Sequence, residues 1–416
     1  MLRIPTKSLE RIGRNARVSI YIQPLWAIPF FMLSAYTTLY MTGQGIGERE
    51  VGLINSAAFI IKAAVAIFAG YVVNLLGRRK SIIIFDLISI VTPYVILTFA
   101  SNFWEFMAAY ILTGFGVINT IAQHCYLVED VLPEDRVITY GFLETIYILA
   151  AFFSPVTGFL VAKHAMVPVI RGIYAFAAIC AFVFVLMKLL YMSETTIGMQ
   201  KANSTTAMSI GDIFKNMWKT VLYTVNKRQL AKLIIINTAL SFASTLNTIY
   251  FFLYLTQRLN YNVADISVFP FITSVVALIT MLLIIRINKM KDFTMEASLL
   301  IYVIGAIFLV AAPPQHSLVF VLVNVICYAV SLQITSTVLQ AKIANAVEDI
   351  IRADVLGFSN VFSMLALFPT GIVGGLLYKA SPVSLFYTIL FIYTICFILY
   401  VSGQFKDKFI KKRELD

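Results

Sequence analysis

Twelve stretches of this chain are each about as long and as apolar as a helix must be to cross a bilayer, and little sequence is left between them. A spanning helix needs about 20 predominantly apolar residues to cover roughly 30 Å of hydrocarbon. Such runs lie near 20–42, 51–74, 81–100, 104–127, 138–162 and 171–192, then near 229–256, 266–288, 293–312, 317–341, 355–378 and 383–403. In lipid, backbone polar groups must be satisfied inside the protein, so each run is expected to be a helix. The predicted fold is an all-α integral membrane protein of twelve transmembrane helices in two six-helix bundles. Residues 1–193 form the first bundle, 194–228 a cytoplasmic middle loop, and 229–416 the second bundle with a basic tail. The chain is 60% hydrophobic and 13% charged, against roughly 25% charged for a soluble domain. The first long apolar run lacks a small-residue cleavage signal and reads as a membrane helix rather than a removed signal peptide.

Charge placement orients the helices. With both termini cytoplasmic, the inner segments hold about 26 of the 32 Lys and Arg residues. The outer segments hold Arg49, Lys163, Arg171, Arg258 and Lys379, and Lys62 lies within a span. This asymmetry follows the positive-inside rule. The net charge of +11 therefore sets topology and does not indicate a nucleic-acid partner. Cys125, Cys180, Cys327 and Cys396 fall in apolar stretches, and His124, His164 and His316 are scattered. No metal-ligand spacing, GxxxxGK(S/T) loop, HExxH or GxSxG motif is present, so neither enzyme chemistry nor a cofactor or metal is expected. Around 210–224 the middle segment reads as an amphipathic helix lying on the membrane.

The two halves resemble each other. Val128-Glu129-Asp130 follows the fourth run and leads to Arg136, Gly141-Phe142 and Pro155. Val347-Glu348-Asp349 follows the tenth and leads to Arg352, Gly357-Phe358 and Pro369. Parallel repeats of this kind are one route to alternating access.

Between the second and third runs the sequence reads Gly70-Tyr-Val-Val-Asn74-Leu-Leu-Gly77-Arg78-Arg79-Lys80. Gly70 suggests a close helix approach, and Gly77 a tight turn. This segment resembles the signature loop of the major facilitator superfamily: a glycine, an acidic residue, then Gly-Arg-Lys/Arg. The arrangement of six helices, a middle loop and six helices resembles that family as well, over essentially the whole chain. The resemblance implies a cytoplasmic gate, with Arg78 pairing with Glu129 or Asp130. Arg79, Arg136, Glu348, Asp349 and Arg352 belong to the same set of inner-face charges. Position 74 departs from the pattern, since Asn74 can hydrogen-bond but cannot form an ion pair. The alternative is that Arg78–Lys80 only set topology.

Ionisable groups inside spans are expensive and point to function. Lys62 in the second run, Asp86 in the third and Glu144 in the fifth stand out. Three readings are open: a static Lys62–Asp86 pair, proton exchange at Glu144 or Asp86, or an anion held by Lys62. The family resemblance also places the first, fourth, seventh and tenth helices around a central cavity. Its candidate residues here are Gln23, Tyr36, Asn119, Gln123, Asn237, Ser241, Gln333 and Gln340. The alternative for these is hydrogen bonding between helices.

The function this implies is a secondary active transporter of a small molecule, working by alternating access with protons as the coupling ion. The expected setting is a monomer in the lipid bilayer of the plasma membrane, multi-pass, in a prokaryotic inner membrane. A lipid or lipid-linked saccharide flippase on the same fold is the alternative. A membrane-embedded enzyme or a non-transporting sensor follows further behind.

Overall fold

The computed structural model describes residues 13–129, 131, 136–204, 210–287, 292–315, 317–347 and 352–413. Among these residues the fold is all-helical. Eleven helices are long and apolar enough to cross a membrane. The predicted eighth run contributes a shorter apolar stretch, Asp265–Met281, which starts in a 3-10 turn, Asp265–Ser267, and continues into a helix that runs Val268–Ile287. Lipid-facing sides are recognisable by their large exposed apolar residues. On the Met166–Tyr191 helix, Ile179, Phe182, Leu186 and Leu190 point outward at helical spacing, while Ala177, Ala181, Phe184 and Lys188 are buried on the opposite side.

Several spans are broken where the sequence offers a reason. The first stops at Leu33 and resumes at Thr37, with Pro24 and Pro29 inside its first part. The fifth stops at Ala151 and restarts at Ser154. Pro155 has no N–H and crowds the preceding turn, yet its fixed φ suits the first turn of the new segment. The third carries a π-helical turn, Leu87–Val91, directly after Asp86. Such turns shift the register of one face and are frequent at functional sites.

The chain folds into two compact units. The first comprises Met1–Ile213 with Val263–Phe271. In it the Arg14–Leu33 helix packs on Met166–Tyr191 and Arg136–Ala151, and Arg78–Asp86 packs on Gly116–Glu129. Tyr40 anchors one end of this unit. Its ring lies 5.3 Å from Phe106 and 5.6 Å from Tyr174, and its hydroxyl lies 2.9 Å from both Leu97 O and Ala100 O. Arg171 donates to Ala100 O as well, at 3.1 Å, so carbonyls left over at a helix end are satisfied.

The second unit comprises Phe214–Asn262 and Ile272–Asp416. Here Asp292–Ala311 packs along Leu318–Asn345 and Pro382–Arg413. Hydroxyls join the first two: Ser298 and Thr335 are 2.6 Å apart, and Ser331 donates to Ser298 O at 2.9 Å. The Asn324 amide donates to Gly305 O at 2.9 Å. A Cβ on Gly305 would stand 2.7 Å from the Cys327 Cβ, so only glycine permits this approach. Replacing Gly305 with alanine is expected to destabilise the unit by about 1–3 kcal/mol through overpacking. Thermal unfolding in detergent would show it as a lowered midpoint; an unchanged midpoint would mean that the helices separate without penalty.

Candidate functional site

Two sites emerge in the first unit, one at the Gly77 turn and one between its helices.

Gly77 adopts φ +82°, a left-handed conformation that favours glycine, and it separates the Glu48–Leu76 helix from Arg78–Asp86. Arg78 is 4% exposed. Its Nε and Nη2 donate to Glu129 Oε1 at 3.1 and 2.9 Å, and its Nη1 donates to Asn74 Oδ1 at 2.7 Å and Val73 O at 3.3 Å. Asn74 thus keeps the hydrogen bond open to an amide without supplying a second negative charge. The other Glu129 oxygen accepts from the Thr195 hydroxyl. Glu194 caps the helix start, one oxygen accepting Arg78 N–H at 2.9 Å and the other Arg79 N–H at 3.0 Å. A carboxylate there satisfies orphan donors and meets the positive end of the helix dipole. Arg79 itself turns to Leu189 O, 2.6 Å away.

Glu194 and Thr195 are partners in this cluster that the sequence reading misses, because an acid just beyond an apolar run looks like an ordinary solvated loop residue. Gly70 is a correction: it is exposed, and a Cβ there would meet none of the described residues within 4 Å, so the expected close helix approach is not seen among them. Asp130, Glu348 and Asp349 lie outside the described residues. Arg136 and Arg352 open helices, but their side chains are outside the description, as is that of Gln340.

The second site is a cavity of about 330 Å³, at the lower end of the roughly 300–1,000 Å³ typical of ligand pockets. Gln23, Asn119, Gln123 and Glu144 line it, as do Trp26 and Lys188. Three of the predicted cavity residues and one predicted coupling residue therefore meet. Gln23 donates to the Tyr147 hydroxyl at 3.1 Å, and Gln123 donates to Ser19. One oxygen each of Gln23 and Asn119 is buried without a partner. Glu144 is exposed within the cavity and makes no hydrogen bond or ion pair to any described residue.

The remaining predicted residues are placed elsewhere. Asp86 pairs with Lys188 at 2.8 Å, not with Lys62; the two side chains are 0% and 2% exposed. Lys188 also reaches Gln123 Oε1 at 3.4 Å and lies 4.0 Å from the centre of the Phe184 ring. Lys62 instead sits over the Phe59 ring at 5.0 Å and is not part of the cavity wall. Of the three readings open for these residues, the static Lys62–Asp86 pair therefore fails, because the long Lys62 side chain turns toward its own helix. Tyr36 is fully buried, with its hydroxyl donating to Val263 O at 2.9 Å, and so lines no part of this cavity. Asn237, Ser241 and Gln333 belong to the second unit. The Ser241 hydroxyl is taken by Asn237 O of its own helix at 2.8 Å. Among the described residues, no group of three or more His, Cys, Asp or Glu is arranged to hold a metal.

A sequence model described as Major Facilitator Superfamily matches residues 25–371. No curated protein sequence matches the chain. Among solved structures, a nucleoside transporter, NupG, superposes with a TM-score of 0.73 at 12% identity, covering 93% of this chain and 99% of that one. A POT family transporter in complex with a thioalcohol-conjugated peptide gives 0.74 at 13% identity, covering 97% and 99%. A D-xylose–proton symporter gives 0.69 at 15% identity, covering 92% and 95%. At these identities the likeness is one of fold.

Proposed function

The chain belongs to the Major Facilitator Superfamily, and on that premise we propose that it is a secondary transporter of a small molecule, working by alternating access and coupled to protons through Glu144. The observation that carries this reading is the cavity: a carboxylate without a partner among the described residues faces it, among amide side chains from two further helices. An intramembrane ionisable group is costly unless it serves a pathway, and among the described residues Glu144 has no structural partner to justify its presence. Proton coupling is named for one structural relative, the D-xylose–proton symporter. The Arg78–Glu129 pair is the gate in this reading, made and broken as the cytoplasmic face closes and opens. The asymmetry of basic residues supports a cytoplasmic setting for that face, in a protein proposed to be multi-pass in the plasma membrane.

The test is transport by the purified protein in liposomes on a solid-supported membrane. The panel would hold sugars, nucleosides, amino acids, organic anions and organic cations, with uptake of labelled compound measured in parallel to catch electroneutral exchange. The expected result is transport of one compound class, driven by an imposed proton gradient and no longer driven by it in Glu144→Gln. Gradient-driven transport that persists in that variant would remove Glu144 from the coupling step. Absence of both current and uptake across the panel would overturn the transporter reading.

A further inference from the structure

The charge pattern of the cavity narrows the substrate class, granted the transport reading above. We infer that the first unit holds a site for a small organic cation, an ammonium group set against Glu144 with Trp26 and Tyr147 as its aromatic wall. Among the described residues, two charged side chains line the cavity, Lys188 and Glu144. The Lys188 charge is already matched by Asp86 at 2.8 Å, and its ammonium also reaches Gln123. An anionic ligand would have to compete with a fully buried carboxylate for it. Glu144 has no such match among the described residues, so the charge that they leave unbalanced in the cavity is negative.

The walls suit the same ligand. The Trp26 and Tyr147 rings meet edge to face with centroids 6.0 Å apart, and both residues line the cavity. Cations are attracted to such faces within about 6 Å of a ring centre, most strongly for Trp. Gln23, which is 6% exposed, keeps one amide atom without a partner beside Tyr147. A cavity of about 330 Å³ favours a compact ammonium over a bulky one.

Tryptophan fluorescence tests this on the full chain in detergent. Trp104 and Trp218 are exposed away from the cavity, so Trp26 is the reporter within it. The probes are choline, tetramethylammonium and tetraethylammonium. The controls are the neutral choline isostere 3,3-dimethylbutan-1-ol and the anion butyrate. Choline or one of the tetraalkylammonium ions is expected to quench saturably. That signal should vanish in Trp26→Phe, and Glu144→Gln should weaken binding at least tenfold. Glu144→Asp, which keeps the charge, should restore part of it, and an unchanged thermal midpoint in each variant would exclude misfolding. The inference falls if the neutral isostere binds as tightly as choline, if Glu144→Gln binds as the parent does, or if no ammonium in the series binds. It also falls if butyrate alone binds. Transport of an anion or a neutral compound in the liposome assay would overturn the cation site while leaving the transporter reading in place.

Discussion

Replacing Lys188 with alanine is expected to destabilise the protein by roughly 3–5 kcal/mol, the usual consequence of stripping one partner from a buried ion pair. Asp86 is 0% exposed and takes its charge partner from a helix about a hundred residues further along the chain. One of its oxygens, Oδ1, is already without a hydrogen bond. Without Lys188 the whole carboxylate would be left buried without its charge partner. The double variant Lys188→Met with Asp86→Leu should recover most of the loss, because the pair must overcome the desolvation of both charges before it contributes anything. Thermal unfolding in detergent, followed by a thiol-reactive dye at the four free cysteines, separates the outcomes. A parent-like midpoint for Lys188→Ala would mean that Asp86 is neutral or reached by water in the folded protein. A double variant as unstable as the single would mean that the pair fixes helix geometry beyond its charge balance.

That pair also marks where sequence reading runs out. Hydropathy tells which residues enter the membrane, and the spans it outlines for the first unit appear as helices broken at Leu33–Thr37, Leu87–Val91 and Ala151–Ser154. It is a one-dimensional signal and does not tell which way a side chain faces. Lys188 lies near the end of its run, where a lysine reads as a topology charge, so only three-dimensional packing reveals it as the partner of Asp86. Lys62 lies near the middle of a run and looks more functional, yet it rests on Phe59. The turn at Gly77 was legible because a glycine between an apolar run and three basic residues has one obvious use. Gly70, read by the same motif, faces open space. Glu144 could be named because ionisable groups in spans are costly, and Gln23, Asn119 and Gln123 because the family resemblance sets their helices around a cavity. Their convergence on one cavity needed the packing of Arg14–Leu33 on Arg136–Ala151.

Arg78→Ala is expected to slow transport at least tenfold. The guanidinium fork supplies two bonds to Glu129, one to Asn74 and one to Val73 O, joining the end of one helix, the start of the next and the end of a third. Hydrogen bonds to charged groups contribute about 1.5–3 kcal/mol each, and a tenfold change corresponds to about 1.4 kcal/mol. Losing even one Glu129 bond at the step where the face is closed would therefore suffice. Arg78→Lys should be nearly as slow, since a point-like ammonium cannot meet three directions at once. Glu129→Gln should be milder. Both Arg78 bonds fall on a single oxygen, which a glutamine carbonyl can replace, and the Thr195 hydroxyl can accept from the amide where it now donates. Measuring uptake beside the thermal midpoint separates gate from brace. If uptake falls in Arg78→Lys while the midpoint stays near that of the parent, the pair acts in the transport cycle. If both fall in proportion, Arg78 is holding the helices together, and the gate must be sought elsewhere.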